Sequence, residues 1–366
     1  MIQIVIPMAG RGSRFSDAGI LTPKPLIQVG GKPMIQWVIE NIRPSKEHQF
    51  TFICLDEHLI KYPDVLCTLK NLCPGCNIVR VNQVTEGAAC TVLLAKDFIN
   101  TQDELMIANA DQIVDANIDD YLDEMASNKA DGLIMTFESN HPKWSFCKMN
   151  DKGDVTEVVE KQVVSDEATV GIYNFKHGAD FVRAAQQMIE RNLRVNGEFY
   201  VAPAYNQLIC EGKKITVFNV GKEYDGMYGL GIPTDLKFFE TTSFFQDKRS
   251  DGVLAVDEKL SLRSLTELYV EFFNSRNIAG VKALLSQEFA LEDPGVKRME
   301  GKDKVIDYIN DIFKTHHLEF KARKIMVEDQ SSLIEFELEI GEQRLKGVDI
   351  IEWENQKIKE LRAYLY

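Results

Sequence analysis

The loop that follows the first apolar run of the chain carries residue types that bind phosphate. The run MIQIVIP is followed directly by AGRGSRF, residues 9–15. Glycines let backbone N–H groups approach phosphate oxygens, and arginines add charge-assisted hydrogen bonds. A plain turn would explain the glycines but gives no reason for two arginines. The candidate phosphate-binding residues are Ala9, Gly10, Arg11, Gly12, Ser13 and Arg14.

Two better-known phosphate motifs do not fit this loop. A Walker loop requires G-x-x-x-x-G-K-[ST], which is absent, and the dinucleotide fingerprint requires a third glycine where this chain has Phe15. The loop therefore predicts an anion site of a less common kind.

A lysine with restricted backbone freedom follows ten residues after Arg14. In TPKPLIQVGGKPMIQW, residues 22–37, Lys24 lies between two prolines that stiffen the chain around it. This spacing predicts that Lys24 and Arg14 serve the same anion.

A carboxylate follows a later apolar run, LMIAN. Asp111 comes just after it, and in a parallel sheet the carboxyl ends of the strands border the ligand crevice. Mg²⁺ takes one or two carboxylates and leaves its other positions to phosphate and water. Asp111 is therefore a candidate Mg²⁺ ligand; a helix N-cap is the alternative.

The composition limits the class of protein. A chain of 366 residues favours two domains, and a formal net charge of −14 argues against a nucleic-acid partner. No apolar run approaches the roughly 18 residues of a membrane span, and the N-terminus has no signal-peptide pattern. Seven cysteines, an odd number, fit reduced thiols. We expect a cytoplasmic protein with no membrane partner.

The elements that must position these residues alternate between strand and helix. The runs IQIVIP, FTFICL, NIVRV, ELMIAN and GLIMTF are typical of strands buried on both faces. Amphipathic helices are predicted at 33–41, 57–72, 88–98 and 118–127. This order predicts an α/β domain with a mostly parallel sheet flanked by helices.

The pattern changes after about residue 143. Three short strands are predicted (FCKMN, VTEVVE and ATVGIYNF), then helices at 178–191 and 198–210 and a strand at 215–220. We interpret this segment as a mixed sheet added to the first one as a substrate lid.

The last third of the chain has a different order of elements. Residues 246–260 are polar and are predicted to be a linker between domains 1–245 and 261–366. Helices are predicted at 262–274, 278–285 and 302–313. The runs FKARKIMVE, SLIEFELEI, LKGVDIIEW and KIKELRAYLY predict a curved antiparallel sheet, an α+β arrangement.

AGRGSRF and TPKPLIQVGGKPMI together resemble the N-terminal motif of the sugar-phosphate nucleotidyltransferases, or nucleotide-sugar pyrophosphorylases. The resemblance extends over roughly the first 240 residues. It implies a Rossmann-like, GT-A-like domain that binds an NTP and a phosphorylated acceptor, with Mg²⁺ as cofactor. The acceptor phosphate attacks the α-phosphorus, and pyrophosphate leaves.

The resemblance also implies roles for residues in later motifs. QVTEGAAC, residues 83–90, is similar to the base-recognition segment, which makes Gln83, Gly87 and Ala88 nucleotide-binding candidates. VVEKQ is similar to the acceptor-site E-K pair, so that Lys161 would hold the acceptor phosphate and Glu160 a hydroxyl. Further acceptor candidates are Gly171, for close approach, and Glu198. The catalytic set implied is Arg14, Lys24, Asp111 and Lys161.

One motif departs from the family pattern. The family commonly has a second metal aspartate in a W-x-D-x-G-T-like motif, and the best match here, MYGLGIPTDL, has Gly229 at that position. Asp225 lies four residues earlier and is the alternative second metal ligand.

The C-terminal region, about residues 262–366, resembles the SnoaL-like branch of the NTF2-like cone-shaped fold. Such domains enclose a conical pocket, which Asp293, His316, His317 and Asp349 could line. A dimerisation or docking module is the alternative role.

These observations predict an enzyme that makes a nucleotide-activated sugar for surface polysaccharide or glycoconjugate synthesis, as a homodimer or higher homo-oligomer. Two alternatives stay open. One is a cytidylyltransferase acting on a phosphorylated polyol or amino compound, and the other is a catalytically inactive nucleotide-binding regulator.

Overall fold

A computed structural model describes residues 1–10, 12–250, 262–274, 276–341 and 343–366. The chain divides into two compact units, Met1–Pro233 and Thr234–Tyr366. Residues 246–250 of the predicted linker belong to a helix, and its remainder, 251–260, lies outside the described residues, as does Arg11. The predicted domain limits at 245 and 261 stay predictions.

The first unit consists of strands and helices in alternation, and its central strands are apolar on both faces. Ile4, Val5 and Ile6 are fully buried, for example. The strands are β1 (Ile2–Met8), β2 (Gln28–Val29), β3 (Lys32–Pro33), β4 (His48–Leu55), β5 (Asn77–Val81), β6 (Glu104–Ala108), β7 (Gln112–Val114), β8 (Gly132–Glu138), β9 (Ser145–Met149), β10 (Val155–Glu160), β11 (Glu167–Phe175), β12 (Ile215–Glu223) and β13 (Gly226–Gly229). The helices are α1 (Ser13–Asp17), α2 (Met34–Ile42), α3 (Asp56–Lys61), α4 (Pro63–Leu72), α5 (Ala88–Leu93), α6 (Lys96–Ile99), α7 (Ile118–Ser127), α8 (Gly178–Glu190) and α9 (Tyr205–Cys210).

The main sheet has the strand order β5-β4-β1-β6-β11-β8-β12-β13-β7, and β9 joins β10 to β11. Strands β5, β4, β1 and β6 are parallel, β11 is antiparallel to β6 and β8, and β12 is parallel to β8. The predicted mostly parallel α/β sheet is thus confirmed. Because β1, β4, β5 and β6 run in the same direction, the loops that follow them meet at one edge.

Three predicted helices are shorter than expected. The stretch 57–72 breaks at Tyr62, because Pro63 restricts the preceding residue and begins α4. The stretch 88–98 breaks after Leu93. The stretch 198–210 becomes helical only at Ala202, since Phe199 exchanges backbone hydrogen bonds with Glu86 and Ala89.

The second unit combines helices with one curved sheet, as predicted for an α+β domain. Its elements are α10 (Pro233–Phe239), which begins at the last residue of the first unit, α11 (Ser243–Ser250), α12 (Leu262–Asn274), α13 (Ile278–Leu284), β14 (Leu285–Asp293), β15 (Val296–Glu300), α14 (Lys302–Thr315), β16 (Leu318–Glu328), β17 (Ser331–Ile340), β18 (Gln343–Glu354) and β19 (Lys357–Leu365). The sheet order is β15-β14-β19-β18-β17-β16.

The hairpin of β14 and β15 was not predicted from the sequence. β14 pairs in parallel with β19, and β15 pairs with β14 across the turn after Asp293. The pairing with a strand some seventy residues later stabilises β14, and no local pattern reveals such a partner. Within the described residues, no helix combines the length and the apolar character needed to cross a bilayer.

Candidate active site

A cleft of ≈ 380 Å³ lies in the first unit where the loops after β1, β5 and β6 meet. Eight of the predicted site residues border it together: Ala9, Gly10, Gly12, Lys24, Gly87, Ala88, Asp111 and Glu198. Residues from five separate stretches of sequence thus share one cleft, because the parallel strands end at a common edge.

The opening loop turns at Gly12, which has a left-handed backbone (φ 63°) and precedes α1. Buried Phe15 anchors α1, and its N–H donates to the Gly12 carbonyl oxygen at 3.0 Å. Of the remaining loop candidates, Ser13 is exposed and does not border the cleft. Arg14 is also exposed, but its Nη1 lies 3.9 Å from the position that a Cβ on Gly231 would take. The loop therefore presents the backbone of Gly10 and Gly12 to the cleft.

Lys24 and Asp111 form an ion pair at the centre of the cleft. The Lys24 Nζ donates to Asp111 Oδ2, and the two side chains are only 24% and 20% exposed. Lys24 begins a 3₁₀ turn between Pro23 and Pro25 and packs beside Gly12, which fixes its stem. Asp111 lies in the turn after β6, where its carbonyl oxygen accepts from Leu230 N–H at 2.7 Å. The two charges neutralise each other in this arrangement.

The segment after β5 forms a second wall. Thr85 Oγ1 lies 2.6 Å from Thr91 Oγ1, and both hydroxyls donate to the Gly87 carbonyl oxygen. Gly87 has φ 136°, and a Cβ on it would overlap the Phe199 backbone. Gln83 is exposed and does not border the cleft, whereas Val84, Thr85 and Thr91 do. Thr85 and Thr91 were not predicted as site residues. The one signal for them in the sequence is that they lie on either side of the start of α5.

The predicted acceptor residues form a cluster that reaches the cleft through Glu198. Buried Glu160 accepts from Ser145 Oγ, and its Oε1 lies 3.4 Å from Lys161 Nζ. The Lys161 Nζ also donates to the Lys143 carbonyl oxygen at 3.1 Å and lies 5.3 Å from the ring centroid of Tyr200.

Burial raises the pKa of the Glu160 carboxyl, while its hydrogen bond from Ser145 and the charge of Lys161 oppose the rise. Glu198 contributes a further rise, so the two carboxylates lie close enough to repel each other. The pKa of Tyr200 is also raised, first by burial and then by the neighbouring Glu198 carboxylate. Glu198 and Tyr200 therefore connect the Glu160–Lys161 pair to the cleft.

Neighbouring side chains occupy the position that a Cβ on Gly171 would take, and the acceptor role of Gly171 stays a prediction. Its φ is 100°, and a Cβ there would overlap the Asn109 side chain and lie 3.0 Å from Gln112 Oε1. The space beside Gly171 is thus filled from the β6–β7 turn. Gln112 Oε1 is buried and has no hydrogen-bond partner among the described residues. Asn109, which borders the cleft, and Gln112 were missed although they flank Asp111 in NADQ.

The structure does not bring Asp225 to Asp111. Gly229 pairs with Gln112 and so lies next to Asp111, whereas Asp225 precedes the other end of β13. Four residues of strand separate Asp225 from Gly229 by ~13 Å at about 3.3 Å per residue. Antiparallel pairing of β13 with β7 therefore places the two residues at opposite ends of one ladder.

The carboxylates of the cleft are few, which fits a Mg²⁺ ion held by one or two protein ligands. Asp111 and Glu198 are the carboxylates that border the cleft. In the parts of the chain that the structure describes, no group of three or more His, Cys, Asp or Glu residues could hold an ion. Mg²⁺ keeps several waters and phosphate oxygens in its shell, so a single carboxylate suffices, whereas a closed protein cage would not fit.

The candidates in the second unit fall into two groups. Asp349 is buried on β18, and burial raises the pKa of its carboxyl from 3.8 to about 8, with a further rise from Asp293. His316 and His317 are exposed, because they occupy the turn between α14 and β16. The prediction that these histidines line an internal pocket is therefore wrong.

Comparisons with known proteins agree with this architecture. A profile described as "Nucleotidyl transferase" matches residues 4–199, and a "SnoaL-like domain" profile matches residues 266–361. The UTP--glucose-1-phosphate uridylyltransferase AglF of Haloferax volcanii is 24% identical over 243 residues, covering 64% of this chain and 93% of that protein. The bifunctional protein GlmU of Methanocaldococcus jannaschii is 25% identical over 253 residues, which cover 68% of this chain. The chain spans about half of GlmU, 55% of its length.

Solved structures give the same result for the first unit. A nucleoside-diphosphate-sugar pyrophosphorylase from Vibrio cholerae RC9 is 26% identical with a TM-score of 0.56, covering 65% of this chain and 99% of that chain. UDP-glucose pyrophosphorylase complexed with UDP-glucose, 17% identical with a TM-score of 0.54, covers 68% of this chain and all of that chain and shares the fold. Since the match at residues 4–199 spans more than half of the 366 residues, the chain belongs to the nucleotidyl transferase family, with a SnoaL-like domain in its second unit.

Proposed function

We propose that this protein condenses an NTP with a sugar phosphate, giving a nucleotide-activated sugar and pyrophosphate, in a reaction that requires Mg²⁺. The observation that carries the proposal is the Lys24–Asp111 pair, which lies in one cleft with Gly10, Gly12 and Glu198. The name of the relative AglF, a UTP--glucose-1-phosphate uridylyltransferase, favours the same reaction class.

The nucleotide would lie along the wall formed by the opening loop and residues 84–88. The backbone N–H groups of Gly10 and Gly12 are the donors available to phosphate oxygens, and the base would face Val84, Thr85 and Gly87. The threonine network holds this wall before any ligand arrives, which lowers the entropy cost of binding.

The chemistry is a displacement at the α-phosphorus. An oxygen of the acceptor phosphate forms a bond to the α-phosphorus, and the bond between the α-phosphorus and the α–β bridging oxygen breaks. The bridging oxygen leaves with pyrophosphate and takes the electron pair. The acceptor phosphate is already ionised near pH 7, so no general base is needed. Catalysis then depends on positioning and on cations that face the developing charge, here Lys24 and Arg14.

Mg²⁺ would be held by Asp111 together with phosphate oxygens, and when bound it neutralises the charge that builds up on them. Asp111 is paired with Lys24, so the two roles are linked. The Lys24 ammonium must leave Asp111 before it contacts the α-phosphate. Its stem, fixed between two prolines, limits that movement to the outer part of the side chain.

The acceptor would bind toward Glu198, with its phosphate near Lys161 and its hydroxyls near Glu160 and Glu198. The structure holds Lys161 between Glu160 and the Tyr200 ring, on a left-handed backbone with φ 57°. A residue held in a sparsely populated conformation costs about 1–3 kcal/mol and is found preferentially at functional sites.

One observation favours a second candidate, a cytidylyltransferase whose acceptor is a phosphorylated amino compound. Glu160 and the Tyr200 ring already flank an alkylammonium group, that of Lys161. A carboxylate beside an aromatic ring suits an amine as well as a hydroxyl.

The test is pyrophosphate release measured with five NTPs against a panel of sugar phosphates and phosphorylated amino compounds, with Mg²⁺ and with EDTA. The proposal expects release with at least one NTP and sugar phosphate pair, and its loss in EDTA. Release only with CTP and an amino acceptor would support the second candidate. Tight NTP binding without release from any pair would contradict both and favour a regulatory protein.

A further inference from the structure

A second cleft, of ≈ 300 Å³, adjoins the nucleotide cleft along the opening loop. Gly10, Gly12, Lys24 and Pro25 border both clefts. The remaining walls of the second cleft come from Ser16, from residues 20–23, and from α3 and the residue after it, through Glu57, His58, Lys61 and Tyr62. A ligand that lies across Gly10 and Gly12 can therefore reach both clefts.

One wall of the second cleft carries nitrogen groups that can bind an anion. His58 and Lys61 face it from α3, beside Lys24, and Glu57 is its carboxylate. Lys61 forms no ion pair with any residue that the structure describes, and its Nζ lies 5.1 Å from the Tyr62 ring centroid. The hydroxyl of Thr22 adds a hydrogen-bonding group. A lysine without a carboxylate partner attracts an anion even where the net charge of the protein is negative.

The cleft is built from fixed elements. The Tyr62 hydroxyl donates to the Leu21 carbonyl oxygen at 3.2 Å and so ties the break between α3 and α4 to the loop that precedes Lys24. α3 follows β4, which pairs directly with β1. The positions of His58 and Lys61 relative to the opening loop are thus set by the parallel sheet.

We infer that the second cleft binds pyrophosphate, the leaving group of the proposed reaction, with His58 and Lys61 as its side-chain ligands. This inference rests on the proposed function. With the α-phosphate at Lys24 and the acceptor on the Glu198 side, an in-line leaving group points away from the acceptor, across Gly10 and Gly12. On that path α3 supplies the Lys61 ammonium and the His58 imidazole, and they bind the two phosphates as the bond between the α-phosphorus and the bridging oxygen breaks.

The test is product inhibition by pyrophosphate in the full-length protein, with the NTP as the varied substrate. The variants are H58A/K61A, Lys61→Arg, which keeps the charge, and Lys70→Ala, which removes an exposed lysine from the adjoining helix α4 outside the cleft. Circular dichroism of each variant establishes that it is folded.

The expected result is an inhibition constant for pyrophosphate at least tenfold higher in H58A/K61A, with an unchanged KM for the acceptor. Lys61→Arg and Lys70→Ala should stay within twofold of the unsubstituted protein. An inhibition constant in the double variant within twofold of that protein would overturn the inference. Inhibition that is not competitive with the NTP, yet is lost in the double variant, would also overturn it by showing a separate anion site.

Direct calorimetric titration with pyrophosphate separates this inference from the proposed function. One outcome is that the unsubstituted protein binds pyrophosphate, H58A/K61A does not, and no substrate pair is turned over. That outcome would contradict the proposed reaction but support the pyrophosphate cleft. Turnover together with equal pyrophosphate affinity in both proteins would contradict the cleft alone.

Discussion

At the scale of single residues, the Lys24–Asp111 pair decides what the cleft can do. The mostly buried lysine and aspartate satisfy each other, which avoids the cost of two isolated charges in a partly dry site. Because Lys24 is paired with Asp111, it competes with any metal cation for the Asp111 carboxylate. The metal and the nucleotide are thereby coupled through one side chain, since phosphate oxygens give Lys24 another partner.

Replacing Lys24 by methionine should separate these two effects. Lys24→Met removes a donor to the transition state and should lower kcat roughly a hundredfold. It also frees Asp111, so Mn²⁺ used as a probe without nucleotide should bind about fivefold more tightly, which corresponds to the ~1 kcal/mol upper range of an exposed ion pair. Electron paramagnetic resonance of free Mn²⁺ measures this affinity without turnover.

A matched control for this substitution is Lys46→Met, which removes the lysine of another Lys–Asp pair, with Asp123, outside the cleft. Neither kcat nor the Mn²⁺ affinity should change in this control. Weaker or equal Mn²⁺ binding by Lys24→Met would contradict the competition between lysine and metal.

At the scale of elements, the joint between residues 84–91 and 198–200 holds the nucleotide and acceptor sides together. Phe199 N–H donates to the Glu86 carbonyl oxygen at 2.8 Å, and Ala89 N–H donates to the Phe199 carbonyl oxygen at 3.0 Å. Arg194 contacts Glu86 and lies over the Phe199 ring. This joint crosses more than a hundred residues of sequence, and it explains why the predicted helix at 198–210 begins late.

Gly87→Ala should damage this joint. The backbone at φ 136° belongs to a region that is almost restricted to glycine, and a Cβ would also overlap the Phe199 backbone. We expect a loss of unfolding free energy of about 3 kcal/mol and at least a tenfold loss of NTP affinity, measured by chemical denaturation and by calorimetry.

Gly153→Ala is the matched control for the backbone contribution, because Gly153 has φ 81° with no atom within 4 Å of an added Cβ. Its cost should be about 1–2 kcal/mol with unchanged NTP affinity. If the two variants lost equal stability and neither lost NTP affinity, the joint would have no role in the site.

At the scale of the whole molecule, the chain consists of two units with different chemistry in their interiors. The proposed reaction uses groups of the first unit, Met1–Pro233. The second unit buries the Asp349 carboxyl near Asp293 and Tyr269. The pKa of Tyr269 is raised, first by burial and then by the charges of Asp349 and Asp293. The SnoaL-like unit thus has its own titration behaviour.

The stability of the second unit should depend on pH through Asp349. The folded carboxyl holds its proton up to about pH 8, whereas an unfolded one releases it near 3.8. The folded state therefore binds more protons between these values, and the free energy of unfolding falls as the pH rises from about 4 to about 8. Hydrogen-exchange protection of peptides covering residues 331–354 should drop at least about tenfold between pH 5 and pH 8.

Asp349→Asn removes this titration and should flatten the pH dependence. The exposed Asp311, substituted in the same way, should leave the slope in place. A full slope in Asp349→Asn would show that another group is responsible.

The sequence by itself determined the local chemistry and most of the elements. Apolar runs of β-branched residues identified β1, β4, β5, β6 and β8, and periodicity gave the exact bounds of α7 and α12. Glycine and arginine in one loop, a proline-flanked Lys24 and a strand-terminal Asp111 indicated a phosphate site, because each of these signals is contained within a few residues of sequence. Such features depend on backbone propensities and side-chain chemistry, which short windows of sequence contain.

Only the tertiary structure decided which of these residues meet. It paired Lys24 with Asp111, filled the space beside Gly171 with Asn109, and separated Asp225 from the cleft through the register of β13 on β7. It also left Gln83, His316 and His317 exposed and formed β14 against β19. Each outcome depends on strand register or on a contact between distant residues, and the free energy of such contacts comes from partners that no local stretch of sequence specifies.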